Sequence, residues 1–138
     1  MKSNIVDLKN SYPFMFAEGM SQSEIQKLVD VYHGLVSSQY QEFLKFSGGA
    51  VIGAYPLYGG SSVELMDAHF NTVNKVTNKY EDDGMIEKGR FLVISETHAG
   101  DPICLNMDGS VVEFSHDGFQ EKSWEDFNGF IKWCADAP

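Results

Sequence analysis

Positive charge is scarce in this sequence. Ten Lys and Arg residues stand against twenty Asp and Glu residues, Arg90 is the single arginine, and the formal net charge is −10. Nucleic acids and anionic membranes attract proteins through clustered cations, and the sequence contains no basic patch. We therefore expect neither nucleic acid nor a membrane among the direct partners.

Cysteine and long apolar runs are also rare. Cys104 and Cys134 have no further Cys or His at ligand spacing, so we expect two free, buried thiols and neither a disulfide framework nor a zinc site. No apolar run is long enough to cross a bilayer, and residues 1–16 lack the apolar core of a signal peptide. We expect a cytoplasmic protein without a metal or other cofactor.

The residues that are abundant indicate a folded domain. Hydrophobic residues make up 43% of the 138 residues and aromatic residues 13%, which argues against disorder. The length suits one domain, and no linker or repeat interrupts it. We predict an irregular N-terminal lead-in over residues 1–20 and one domain over residues 21–138. The aromatic residues 12–16 are expected to pack over the edge of the core, and a partner-binding arm is the alternative.

The most regular stretch is residues 89–118. Three runs rich in Val, Ile, Leu or Phe, residues 90–96, 102–107 and 110–115, are bounded by Gly or Asp and predict a three-stranded meander. The pair Asp108-Gly109 suits the type I′ turn of a two-residue hairpin.

A polar corner joins the first two of these strands. Gly100 is free to adopt a positive φ, and the side chain of Asp101 can accept hydrogen bonds from nearby amides. A tight turn is therefore expected between the two strands.

Helices are predicted wherever a capping residue precedes apolar residues at helical intervals. Gly34 is expected to end the first helix and Gly48-Gly49 the second, and a short strand is expected over residues 50–55. The four helices are predicted to begin at Ser21, Ser38, Ser61 and Ser123. Together these patterns predict an α+β fold, an antiparallel sheet with a central meander and helices packed on it.

No motif in the sequence indicates catalysis. The meander could bring together a set of potentially reactive side chains, but strand alternation gives no sign that Cys104 faces a cleft, and the hydrolase and metalloprotease motifs are missing. Three consecutive acids, residues 81–83, lack the alternating oxygen ligands of a calcium loop, so they predict a solvated loop. We expect no enzymatic activity from the candidate set His98, Asp101, Cys104, His116 and Asp117.

The negative charge is concentrated in the second half of the chain. Residues 1–80 contain seven acids and six bases, a net of −1, whereas residues 81–138 contain thirteen acids and four bases, a net of −9. Such a field accelerates encounter with a basic protein, although it also serves solubility alone.

Several stretches resemble one known family. Residues 40–49 form a tyrosine-containing helix that runs into Gly-Gly, residues 57–59 are a Leu-Tyr-Gly bend, and residues 99–109 combine a Gly-Asp corner, an apolar strand and an Asp-Gly turn. A strand ending near His116 follows, and residues 123–127 are similar to the start of the family's last helix. The chain resembles the SUKH superfamily, which includes many bacterial toxin-immunity proteins and a fungal regulator of cell-wall assembly and glucan synthesis.

The resemblance implies an α+β fold and a non-enzymatic role. Members of this kind are typically encoded beside a polymorphic toxin, often a nuclease, and neutralise it by binding. A regulatory protein-interaction module of the cell-wall type is the alternative, and a small ligand-binding protein or enzyme that uses the Gly100-Asp101 corner is a second one. The motif residues that the resemblance marks as architectural are Tyr40, Gly48, Gly49, Gly100 and Asp101.

The charge asymmetry and the resemblance together suggest a hypothesis about the partner. The acidic half would cover the basic, nucleic-acid-binding face of a cognate protein toxin. The acids at predicted turns are the candidates for contact, namely Glu81, Asp82, Asp83, Asp101, Asp108 and Asp117.

Overall fold

The computed structural model describes residues 3–60, 72–115, 117 and 120–136. A 3₁₀ turn, Pro13–Met15, follows the first helix. The helices in this part of the chain are α1 Ser3–Ser11, α2 Gln22–Val31, α3 Ser38–Phe46, α4 Val73–Asp82 and α5 Phe127–Asp136. The strands are β1 Ala50–Ile52, β2 Tyr55–Leu57, β3 Leu92–Glu96, β4 Pro102–Leu105, β5 Val111–Phe114 and β6 Gln120–Trp124.

The strands form two antiparallel sheets. One contains β1 and β2, and the other has the consecutive order β3-β4-β5-β6. The predicted α+β class and the central meander are confirmed. The meander is longer than predicted, because β6 adds a fourth strand where a loop and a helix cap were expected.

The register defines two ends of the larger sheet. Glu96 pairs with Pro102 at one end, which we name the corner end because the β3–β4 turn lies there. Leu105 pairs with Val111 at the other, which we name the hairpin end. The end of β5 and the start of β6 return to the corner end.

The hairpin turn differs from the predicted type I′ turn. Gly109 has φ 88°, but Asp108 does not have a positive φ, whereas a type I′ turn needs positive φ at both central residues. The amide of Gly109 donates to the carbonyl of Asn106, and the amide of Asn106 donates to Ser110. This is a three-residue loop in which Gly109 alone takes the left-handed position. Asp108 Oδ1 accepts from the amide and hydroxyl of Ser110, which lowers the pKa of Asp108.

The predicted cap is correct for α2 and wrong by one residue for α3. The predicted cap Ser21 is confirmed, and Glu24 completes a capping box with it. For α3 the predicted cap Ser38 is wrong by one residue, since Ser37 is extended and its hydroxyl accepts from the amide of Tyr40. Gln41 does not complete a box, because its side chain donates to the carbonyl of Val36.

The last two helices also begin away from their predicted caps. Ser123 lies in β6, and α5 begins at Phe127, where Asp126 Oδ1 accepts from the amide of Gly129 at 2.8 Å. The described part of α4 is capped by Thr72. The cap predicted at Ser61 lies outside the described residues.

The N-terminal segment was predicted to be irregular, but part of it is helical. Residues 3–11 form α1, because Ile5 is fully buried and Lys9 Nζ donates to the carbonyl of Phe46 at 2.7 Å. Tertiary contacts of this kind override a weak local pattern. Phe16 then forms a β-bridge with Ala50.

The predicted single strand over residues 50–55 is instead the β1–β2 hairpin. Val51 pairs with Pro56 across a turn at Gly53, which has φ 62°. A Cβ on Gly53 would lie 2.4 Å from the carbonyl oxygen of Cys134. The hairpin turn therefore abuts the last turn of α5.

The core lies between the larger sheet and the helices. Tyr40, Phe43 and Phe127 pack together from α3 and α5, with ring centroids 5.2 Å apart for Tyr40 and Phe127 and 5.4 Å apart for Phe43 and Phe127. The prediction of two free, buried thiols, Cys104 and Cys134, is confirmed. In the part of the chain that is described, no helix is both long and apolar enough to span a membrane.

Candidate functional site

The β3–β4 corner is a closed hydrogen-bonded turn. The amide of Thr97 donates to the carbonyl of Asp101 at 2.9 Å, and the amide of Asp101 donates to the hydroxyl of Thr97 at 3.1 Å. Gly100 has φ 83°, as its position in the motif predicted. Asp101 is only 9% exposed, so it offers little surface to a partner.

A carboxylate held by two tyrosines lies beside this corner. The hydroxyl of Tyr58 donates to Glu96 Oε1 at 2.5 Å, and the hydroxyl of Tyr80 contacts Glu96 Oε2. The Tyr80 hydroxyl also lies 2.7 Å from the carbonyl oxygen of Gly100. We call Tyr58, Glu96 and Tyr80 the tyrosine–glutamate cluster. Burial, together with the hydrogen bond to Glu96, raises the pKa of Tyr80 well above its usual value.

The cluster connects the stretches on which the family resemblance is based. Tyr40 is fully buried on α3 and donates its hydroxyl proton to the carbonyl of Tyr58. Tyr58, in the Leu-Tyr-Gly bend, bonds to Glu96 of β3, and Tyr80 links Glu96 to the Gly-Asp corner. Sequence analysis missed Glu96, and the signal available was a lone acid at the end of an apolar strand.

The Gly-Gly turn after α3 is part of the same framework. The amide of Gly48 donates to the carbonyl of Glu18, and the carbonyl of Gly49 accepts from the amide of Ala17. A Cβ on Gly59 would lie 2.3 Å from the carbonyl oxygen of Gly48. The two glycine-containing bends therefore pack backbone against backbone.

Comparison with known proteins is consistent with this framework. A family model, SUKH_5, described as SMI1-KNR4 cell-wall, matches residues 1–135. The chain belongs to the SUKH superfamily. The SUKH chain is also similar to a solved structure, the crystal structure of a protein from Pseudomonas syringae pv. tomato, with a TM-score of 0.63 and 17% sequence identity. The match covers 88% of this chain and 84% of that one, and it shows a shared fold. No curated protein matches the SUKH chain significantly.

The candidate contact acids of this SUKH domain do not form one patch on the sheet. Asp101 lies at the corner end, and Asp117 follows β5 at that end, whereas Asp108 lies in the turn at the hairpin end. Strands of four residues separate the two ends by about 13 Å. Asp108 and Asp117 are exposed and Asp101 is buried.

The other three candidates, residues 81–83, lie at the end of α4. Glu81 and Asp82 are the last residues of the helix, so the loop begins two residues later than predicted. Glu81 is half-buried and its Oε2 accepts from the amide of Gly89 at 2.8 Å. Asp82 and Asp83 are exposed, and Asp83 lies 3.8 Å from Lys79. Asp82 and Asp83 thus present charge to solvent, while Glu81 has a local structural contact.

Among the candidate reactive side chains that the structure describes, Cys104 is not an activated nucleophile. Cys104 and Cys134 are both buried, and burial raises the pKa of each thiol, so neither is a thiolate at neutral pH. His98 is exposed, with its ring 6.2 Å from that of Tyr55. His116 lies outside the described residues. Among the residues described, no three His, Cys, Asp or Glu side chains are grouped so as to hold a metal ion.

The aromatic residues of the lead-in divide into two groups. Phe16 packs into the core, at 8% exposure, with its ring 6.1 Å from that of Phe46. Tyr12 and Phe14 are 52% and 65% exposed, and their rings meet edge to face at 6.3 Å. Both alternatives weighed from the sequence therefore keep a structural basis, packing for Phe16 and partner contact for the exposed pair.

Proposed function

We propose that this SUKH domain is a cytoplasmic immunity protein that neutralises a cognate bacterial toxin by binding it, without catalysing a reaction. Family membership supports the proposal. The observation that carries it is the excess of exposed acids after residue 80. In the part of this stretch whose exposure is described, the exposed acids are Asp82, Asp83, Glu87, Asp108, Asp117, Glu125 and Asp136, against four exposed bases, Lys88, Arg90, Lys122 and Lys132.

The distribution of charge supports a basic toxin, most simply a nuclease. A nuclease needs a basic face to hold phosphates, and an acidic protein competes for that face through the same charges. Exposed carboxylates at both ends of the sheet and at the end of α4 accelerate the encounter of two such proteins, while apolar contacts determine how long the complex lasts. Direct binding of nucleic acid or of an anionic membrane is disfavoured by the same net charge.

The family description supports a second candidate function. It names the cell wall, so a regulatory module that binds several host proteins weakly is the main rival. The two functions differ in affinity and in genetic context. An immunity protein binds one toxin tightly and is encoded beside it.

The test is co-expression of the tagged protein with the product of the neighbouring gene. Immunity predicts a stable one-to-one complex on pull-down and rescue of growth when the neighbour is toxic. An unrelated acidic protein of similar net charge is the control, since charge alone should neither hold the toxin nor rescue growth. A toxic neighbour that is neither bound nor neutralised would refute immunity for that pair and favour the regulatory module.

A further inference from the structure

An apolar groove runs along the N-terminal segment. It has a volume of about 230 Å³ and lies between α1, the 3₁₀ turn and the β1–β2 hairpin. We call it the N-terminal groove. Its walls include Leu8, Tyr12, Met15, Phe16, Val51 and Ile52. The exposed ring of Phe14 stands beside it, in edge-to-face contact with Tyr12.

An acidic hollow adjoins this groove. It has a volume of about 260 Å³ and is lined by Leu8, which it shares with the groove, together with Asp7, Ser11, Ala135 and Asp136. Gly53, at the end of the groove, abuts the carbonyl of Cys134, one residue before the hollow begins. The groove and the hollow therefore form one surface that passes from apolar to acidic.

The charge of this surface is negative, and no Lys or Arg is among the described residues that line it. Asp7 and Asp136 are exposed, and neither forms a salt bridge with a residue that the structure describes. Lys9 lines neither the groove nor the hollow, and its Nζ bonds to the carbonyl of Phe46 and lies 4.6 Å from the centre of that ring. Lys132 precedes Asp136 by one turn but does not line the hollow. The C-terminus of α5 adds partial negative charge from its carbonyl groups.

The exposed aromatic pair gives this surface the character of a binding anchor. Tyrosine and other aromatic side chains dominate the energetics of protein interfaces, since they bury a large area at a small cost in side-chain entropy. Exposed aromatic rings gain free energy when a partner buries them, and here Tyr12 lines the apolar groove while Phe14 contacts Tyr12. The surface thus combines exposed aromatic side chains with the acidic hollow, which forms the acidic rim of the N-terminal groove.

We propose that the N-terminal groove and its acidic rim bind an apolar segment of the partner protein that carries Lys or Arg next to its apolar residues. The inference deepens the proposed function, because that partner would be the toxin. The acids elsewhere on the domain accelerate encounter, and the groove holds the complex. A second copy of this chain is disfavoured as the occupant, since it would bring another net charge of −10 against an acidic rim.

The decisive variant is Tyr12→Ser/Phe14→Ser, tested in the full chain. Its matched control is Val31→Ser/Met107→Ser, which removes two apolar side chains that are 65% and 59% exposed elsewhere. With the neighbouring toxin immobilised, the groove variant should dissociate at least about tenfold faster than wild type, and the control should stay within about twofold. Both should melt at the wild-type temperature, because the side chains replaced are exposed.

A second arm addresses the rim. Asp7→Lys/Asp136→Lys should slow association with the toxin, more at low than at high salt. Wild type and the groove variant are titrated with a fluorescein-labelled peptide of Lys and Leu and with a peptide of Glu and Leu. Only the Lys–Leu peptide should bind, and the Tyr12→Ser/Phe14→Ser change should abolish its binding.

The two proposals fail separately. If the groove variant forms the complex with the toxin as well as wild type does, this inference is overturned and immunity is unaffected. Groove-dependent binding of the Lys–Leu peptide, without any complex with a toxic neighbour, would support the groove and refute immunity for that pair. Equal binding of both peptides, or of neither, would overturn the charge preference proposed for the groove. A dimer that the groove variant dissociates would assign the groove to a second copy and also overturn the proposal.

Discussion

Replacing Tyr80 by Phe tests the link between the tyrosine–glutamate cluster and stability. The change removes one hydroxyl that contacts Glu96 and lies 2.7 Å from the carbonyl of Gly100. The ring stays, so no large cavity forms. A hydrogen bond to a charged group contributes about 1.5–3 kcal/mol. Because Glu96 is half-buried and keeps its bond from Tyr58, we expect a loss of about 2 kcal/mol in the free energy of unfolding.

Chemical and thermal unfolding measure this loss. For a domain of this size, about 2 kcal/mol corresponds to a fall in Tm of roughly 6–10 °C. Tyr12→Phe is the matched control, because it removes an exposed hydroxyl and should change stability by less than about 0.5 kcal/mol. A double-mutant cycle with Glu96→Gln should give a coupling energy of about 1 kcal/mol or more. A Tyr80→Phe variant as stable as the control would refute the role assigned to the cluster.

The same residue predicts a dependence on alkaline pH. The pKa of Tyr80 is raised in the folded state by burial and by its bond to Glu96, whereas in the unfolded chain it is near the ordinary value of about 10. The stability linked to this group is therefore fully present below about pH 10 and is lost as the pH rises further. Between about pH 9 and pH 11, the free energy of unfolding should fall less steeply in Tyr80→Phe than in wild type.

Three further predictions concern packing, thiols and charge. Gly59→Ala should destabilise the domain by about 1–3 kcal/mol in urea unfolding, because its Cβ would meet a backbone carbonyl oxygen at 2.3 Å, and a neutral result would contradict that contact. The two cysteine thiols should react with Ellman's reagent only after denaturation, since both are buried, and rapid labelling of native protein would exclude the observed packing. Asp82→Lys/Asp83→Lys should slow association with a basic toxin chiefly at low salt, compared with Asp30→Lys/Glu42→Lys of equal net charge. Equal rates at every salt concentration would remove Asp82 and Asp83 from the encounter surface.

Local patterns in the sequence predicted elements whose energetics are local. The capping box at Ser21 depends on residues three positions apart, and the meander depends on strand alternation with Gly and Asp at its turns. Gly100 and Gly109 both have positive φ, since few other residues tolerate that conformation. The burial of both cysteines followed from their positions in apolar segments. These features need little information from distant parts of the chain.

Contacts between distant segments determined the rest. Helix α1 is stabilised where Ile5 enters the core and Lys9 reaches Phe46, and its own sequence has no clear helical period. Strand β6 exists because Val111 and its neighbours in β5 offer a pairing edge, so that the helix cap moves from Ser123 to Asp126.

The candidate site shows the same division. The sequence alone established the acidity of the chain and its concentration after residue 80. Only the tertiary structure showed that Asp101 is buried and that Glu81 accepts a hydrogen bond from the amide of Gly89. Only it brought Tyr58 and Tyr80 to Glu96, and Asp7 near Asp136. Net charge is a sum over residues, whereas a surface depends on which distant residues the packing of the core places side by side.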